Sequence, residues 1–119
     1  MKQEFEHPDM AEWLATYPED RYNELDFGLV KLNHEGVVIA YNQAQTTISG
    51  VTSEYALRKH FFTEVAPCTN NFIVAEKYSQ PTLDETIPYM FTYITAPIRV
   101  KLRLIKDSKG NAYMLTVKN

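Results

Sequence analysis

The sequence predicts an α+β domain: a five-stranded antiparallel sheet with helices on one face and a helical cap at the N-terminus. Three observations carry this. Strand-like segments fall in a run of two and a run of three with helical segments between them, the order of an α+β fold rather than of alternating βαβ units. Two polar tetrapeptides ending in glycine, Asn33-His34-Glu35-Gly36 and Asp107-Ser108-Lys109-Gly110, each separate two apolar runs, as in antiparallel hairpins. Ile98, Val100, Leu102 and Leu104 alternate with Arg99, Lys101 and Arg103, a period of two with one apolar and one wet face.

The elements follow in chain order. Pro8-Asp9 opens a helix, with Asp9 as N-cap and Glu12 three residues on as in a capping box. Met10, Trp13, Leu14 and Tyr17 form its apolar stripe, and Pro18 stops it. Residues 1–24 are thus expected to be a helical cap with a polar connector over 19–24, and residues 25–119 the core. Residues 25–32 and 37–42 make the first hairpin. Short helices are expected over 43–48 and, started by Ser53, over 53–57. A further helix is expected over 72–79, capped by Thr69 or Asn70, with Phe72, Ala75 and Ile73 facing inward. Strands are expected over 86–95, 98–105 and 111–118. Leu29 is expected on the inner sheet face, under the helices.

Composition narrows the function. The chain has 119 residues, 45% apolar and 23% charged, an ordinary balance for one globular domain. A net charge of −3 argues against a nucleic-acid partner. No apolar run approaches the roughly 18 residues of a membrane span, and the N-terminal decapeptide has no apolar signal region. One cysteine, Cys68, allows neither an internal disulfide nor a multi-cysteine metal site, which fits a reduced, cytoplasmic setting. Taken alone, a lone cysteine between proline and threonine reads as a small buried hydrophobe.

Several blocks together say more. Asp26-Phe27-Gly28, Gly36, Ala40-Tyr41-Asn42, Ile48-Ser49-Gly50, the run Phe61-Phe62-Thr63-Glu64-Val65-Ala66-Pro67-Cys68-Thr69, then Tyr89-Met90-Phe91-Thr92-Tyr93 and Pro97, stand in an ordered spacing. This pattern, from about residue 25 to 118, resembles the photoactive yellow protein family, with a few residues fewer just after Cys68. The resemblance implies a PAS fold and a blue-light photoreceptor that is not an enzyme. It implies a p-coumaroyl (4-hydroxycinnamoyl) group held as a thioester on Cys68, trans-to-cis photoisomerisation, a reversible photocycle and signalling through displacement of the N-terminal cap around Trp13. The downstream signalling protein is unspecified. No nucleic-acid or membrane partner is implied, and the chain is expected as a monomer or weak dimer.

The same resemblance distributes roles. Tyr41 stands where the family has a tyrosine that donates to the phenolate, and Ser49 where it has a threonine behind that tyrosine. Phe61, Val65, Pro67, Phe91 and Tyr93 are implied as pocket walls. Thr69 flanks the thiol, and the Cys68 N–H is set to meet the thioester carbonyl. Two positions depart from the family. Gln45 replaces a glutamic acid: an amide can donate a hydrogen bond but gives up no proton near neutral pH, so the proton must come from elsewhere, such as water. Val51 replaces a frequent arginine, so the gate of the pocket is apolar or remodelled.

Other readings stay open at this level. The chain could be a chromophore-free or otherwise liganded PAS-type small-molecule-binding or interaction module, since one fold hosts many functions. A thiol enzyme would need a base for Cys68, and His60 lies eight residues upstream with no spacing that suggests an orienting group. The row Arg99, Lys101, Arg103 reads as a solvated sheet face, and His7 with Glu6 and Asp9 does not amount to a metal site.

Overall fold

A computed structural model of the chain describes residues 4–92 and 96–119. Its five strands are β1 (Gly28–Leu32), β2 (Val38–Tyr41), β3 (Leu83–Phe91), β4 (Ile98–Lys106) and β5 (Ala112–Lys118). They form one sheet in the order β2-β1-β5-β4-β3, antiparallel at every pairing. Three α-helices accompany it: α1 (Met10–Thr16), α2 (Gln43–Ser49) and α3 (Ser53–Ala56). Among the described residues no helix is long and apolar enough to cross a membrane.

The two hairpin turns are built alike. Asn33 Oδ1 accepts from the N–H groups of Glu35 and Val37, and Asp107 Oδ1 from those of Lys109 and Asn111. Gly36 and Gly110 follow at φ of 83° and 90°, where a side chain is strained. Burial alone would raise the Asp107 carboxyl, but hydrogen bonds from Asn111 and the Lys109 N–H outweigh it and hold it low.

Both faces of the sheet are covered. On one, Val30, Leu32, Leu102, Leu104 and Met114 pack with Ile48, Ala56, Phe61, Val65 and Val74 of the helical segments. On the other, Leu29, Ile105, Tyr113 and Leu115 pack with Phe5, Met10, Leu14, Tyr17 and Tyr22. Leu29 therefore faces the N-terminal segment, not the helices over the opposite face. The predicted wet face of β4 is wet at Arg99 and partly so at Lys101, but not at Arg103. Arg103 is 6% exposed because the N-terminal segment lies across it. Its Nε and Nη2 pair with both Asp84 oxygens at 2.8 Å, and its Nη1 donates to the carbonyls of Phe5 and His7, each at 2.8 Å. A buried guanidinium is acceptable when its donors are met in this way.

β2 contains an irregularity that matters for the site. Val38 pairs with Leu32 and Ala40 with Lys31, so Ile39 is an extra residue. This bulge turns both Val38 and Tyr41, three residues apart, toward the helix-side core.

Local corrections have local causes. The stripe of α1 is as expected, with Trp13 stacked on Tyr17 at 4.2 Å, but Asp9 caps the helix without a side-chain hydrogen bond, so no capping box forms. The 19–24 connector is a 3₁₀ helix that buries Tyr22. The first strand begins at Gly28 rather than residue 25; α3 starts at Ser53 as expected, with Thr52 as its N-cap, and ends at Ala56. No helix spans 72–79: Asn71 Oδ1 accepts from the N–H groups of Ile73 and Val74, and only Ala75–Ser79 turns as 3₁₀. Phe72 is 72% exposed and Ile73 is exposed too, while Val74 takes the inward place. β3 starts three residues before the predicted 86, ends at Phe91, and tolerates Pro88 because it is an edge strand. Residues 93–95 of that prediction lie outside the described residues.

Candidate ligand site on the helix face

The site is organised by the start of α2. Asn42, buried just before it, accepts from the N–H groups of Leu29 (2.8 Å) and Gln45 (3.0 Å), and donates to the carbonyls of Tyr22 and Phe27 (3.0 Å each). Gln43 N–H donates to Asn23 Oδ1 at 2.7 Å. The helix start is thereby tied to β1 and to the N-terminal connector. Sequence reasoning missed Asn42, although asparagine directly before a predicted helix is a preferred N-cap.

From that start the 3.6-residue period turns Gln45, Ile48 and Ser49 inward, and Gly50 ends the helix at φ 81°. The Tyr41 hydroxyl lies 2.7 Å from Ser49 Oγ, which also accepts from the Val51 N–H at 3.1 Å. Burial pushes the Tyr41 phenol up to about 12, and the nearby Ser49 hydroxyl and Gln45 amide offset this only in part.

Gln45 is the anomaly. Its side chain is fully buried, yet neither Oε1 nor Nε2 makes a hydrogen bond of good geometry among the described residues, although the amide lies close enough to the Tyr41 hydroxyl to act on it. Leaving such a group unmet costs about 1–3 kcal/mol, so buried amides are nearly always paired. Its oxygen rests over Gly28, where any side chain would collide with Gln45 Oε1 and crowd its Cα. Glycine in β1 is what lets the amide lie there.

Residues 61–65 form a π-helical turn that buries Phe61, Phe62 and Val65. Such turns often mark functional segments. It feeds the 3₁₀ turn Pro67–Thr69, within which the half-buried free thiol Cys68 lies; no longer helix begins there. The Cys68 N–H has no protein acceptor among the described residues. Its carbonyl accepts from the Tyr89 hydroxyl and from Asn71 Nδ2 (3.2 Å), and Asn71 Nδ2 also meets the Tyr89 hydroxyl at 2.7 Å. Asn71 and Tyr89 were not singled out from sequence; they meet only when the loop folds onto the edge strand.

Cys68 packs against the same apolar cluster that holds Tyr41, Val51, Phe61, Val65 and Phe91. Pro67 is exposed and, with Val51, Tyr55, Glu64 and Val65, lines an open cleft of about 470 Å³ beside this cluster. Thr69 is buried but spends its hydroxyl on the Ala66 carbonyl at 2.7 Å. Tyr93 lies outside the described residues. His60 is turned away: its Nδ1 meets Thr63 Oγ1 at 3.1 Å, and it lines a different cleft with His34.

No family model matches the sequence. Individual proteins do. Photoactive yellow protein of Rhodobacter capsulatus is 30% identical over 116 residues, 92% of this chain and 91% of that protein. That of Halochromatium salexigens is 29% identical over 118 residues, 96% of this chain and 94% of that protein. Among solved structures, the photoactive yellow protein domain of the sensor histidine kinase Ppr from Rhodospirillum centenum superposes with a TM-score of 0.75 at 28% identity, covering 82% of this chain and 96% of that domain. The PAS domain of an HTR-like protein from Haloarcula marismortui, at 13% identity and a TM-score of 0.64, shows the fold alone. The fold is PAS, and likeness at this level along nearly the full length of both chains means that the chain belongs to the photoactive yellow protein family.

Proposed function

We propose that this chain is a blue-light photoreceptor that holds a p-coumaroyl group as a thioester on Cys68. The observation that supports it most is the fully buried Gln45 amide with no protein partner, beside the Tyr41–Ser49 pair and in the layer that Cys68 packs against. A buried phenolate needs donors, because an unpaired anion in an apolar interior costs several kcal/mol. The residues fit that need. Ser49 Oγ already accepts from the Val51 N–H, so its own proton is available to the Tyr41 oxygen. Tyr41 then has its O–H, and Gln45 its N–H, to donate to the phenolate. Tyr41 keeps its proton throughout, since its own value lies near 12. The free Cys68 N–H is available to the thioester carbonyl, and Val51, Phe61, Val65 and Phe91 exclude water from the apolar body.

When bound, the group supplies visible absorption and a light-driven trans-to-cis isomerisation. The chain supplies the response. Disturbance at Gln45 acts on α2, whose first turn is bonded to the 19–24 connector through Asn42 and Gln43. Loosening of those bonds frees the cap over residues 1–24, which presents the altered surface to a downstream protein.

The test is reconstitution with activated p-coumarate. The expected result is a mass increase of one p-coumaroyl group, a yellow protein, bleaching by a blue flash with thermal recovery, and loss of all three in Cys68→Ala. An unchanged mass and no colour in the parent overturn the reading. A stable yellow adduct with no light response leaves a pigment-binding module that does not sense light. Hydrogen exchange that shows no light-dependent loosening of the cap excludes the proposed output.

A further inference from the structure

The buried amide of Gln45 has two orphan ends, and one phenolate can satisfy only the N–H end. The oxygen end needs a donor. That oxygen lies over Gly28, in the space a Cβ at that position would occupy. In the β1–β5 ladder, Gly28 stands directly opposite Thr116. Residues directly opposite share one face of the sheet, with Cβ positions about 4.5–5.5 Å apart. Met114 and Ala112, two and four residues before Thr116 on β5, belong to the helix-side cluster, so Thr116 faces the same layer as Gln45. Thr116 is fully buried, and its hydroxyl also has no partner among the described residues. Two orphaned polar groups, one on α2 and one on β5, thus lie in the same layer next to Gly28, with no hydrogen bond yet made between them.

We infer that Thr116 is a positioning residue whose hydroxyl engages the Gln45 amide and sets which of its ends faces the ligand. The chemistry is directional. When the Thr116 O–H donates to Oε1, Nε2 is directed at the ligand oxygen and donates to a phenolate. A hydroxyl can equally accept. When Thr116 accepts from Nε2, the amide is reversed and Oε1 accepts from a neutral phenol. The pair can therefore serve either protonation state with no buried charge left unmet, which a glutamine held by a donor-only or acceptor-only partner could not do. Thr116 moves no proton to the ligand; that proton still comes from water. This inference rests on the proposed ligand for its consequence, but the pairing itself belongs to the chain alone.

The test uses the full chain in two forms. In the pigment-free protein, the side-chain amide resonances of Gln45 report the pairing. They should move in Thr116→Val, which keeps the volume and removes the hydroxyl, and return to the parental position in Thr116→Ser. In the reconstituted protein, loss of yellow colour with falling pH reports the proton affinity of the phenolate. Thr116→Val should raise that affinity by roughly three- to tenfold, the size of one hydrogen bond's net contribution, and Thr116→Ser should restore it. Gln45 resonances and a titration midpoint that Thr116→Val leaves unchanged overturn the inference, even where the protein is yellow and photoactive. If the parent takes up no pigment, the functional reading fails, and the amide resonances alone decide the pairing: shifted supports it, unmoved overturns it.

Discussion

Arg103 and Gln45 are both buried polar side chains flanking one sheet, on opposite faces, and they are treated in opposite ways. Arg103, beneath the N-terminal segment, has every arm engaged: two oxygens of Asp84 and two backbone carbonyls. Gln45, fully buried next to Gly28 and the Tyr41–Ser49 pair, has no hydrogen bond of good geometry at either end. The first face is closed by its own chain. The second leaves a buried amide that its own chain does not hold. The difference separates a structural seam from the proposed binding site more sharply than burial does, since both residues are buried.

The largest effect should come from breaking the satisfied side. Arg103→Met leaves Asp84 and two carbonyls without their donor and should cost about 2 kcal/mol, below the usual range for a broken buried pair because Asp84 is half exposed. Chemical denaturation measures the loss, and hydrogen exchange should show it concentrated in residues 4–16. The other side should respond more weakly. Gln45→Leu removes a buried amide that has at most the Thr116 hydroxyl for a partner, and should cost the pigment-free chain less than about 1 kcal/mol while weakening any hold on a phenolate. A loss as large as that of Arg103→Met would show that the chain itself holds the amide at both ends.

Alkaline titration gives a smaller effect. The Tyr41 value is raised to about 12 by burial, so the folded chain keeps this proton longer than the unfolded one. The associated stability is whole below about pH 10 and is lost as pH climbs toward the folded value. Tyr41→Phe should flatten part of the fall between those limits, leaving the contributions of Tyr22, Tyr78 and Tyr113, whose phenols burial also raises. The smallest effect is spectral. In the pigmented protein, Gln45→Glu should shift absorption to the blue, because an acid is the stronger donor to a phenolate; no shift would separate Gln45 from the pigment.

The sequence made the two turns plain, since Asn33 and Asp107 act through their own neighbours. It also made the stripe of α1 plain. It failed where distant residues decide. The alternation of β4 is real, yet its polar face is covered by a segment more than ninety positions away, and an arginine can end on backbone carbonyls whose identity no side-chain pattern reveals. The helix expected over 72–79 with Thr69 or Asn70 as its cap gives way to a turn held by Asn71, which also donates to the Cys68 carbonyl. At the site, Tyr41 and Ser49 were found through family resemblance, and their spacing of eight carries no signal of its own. The orphan state of Gln45 was invisible, because a missing partner is a property of the packed interior and not of any string of residues.

The extra residue at Ile39 has a consequence for how this chain can change. A strand counts in odd and even, and Ile39 alters that count once, between Val38 and Tyr41. Removing it would leave composition and hydrophobicity almost untouched and would still exchange inside for outside, sending either the tyrosine or the valine to the wrong side. Length is therefore a coded quantity here. A one-residue deletion at position 39 should be more damaging than most substitutions in the same hairpin, whereas the exposed stretch around Phe72 has no such parity to keep.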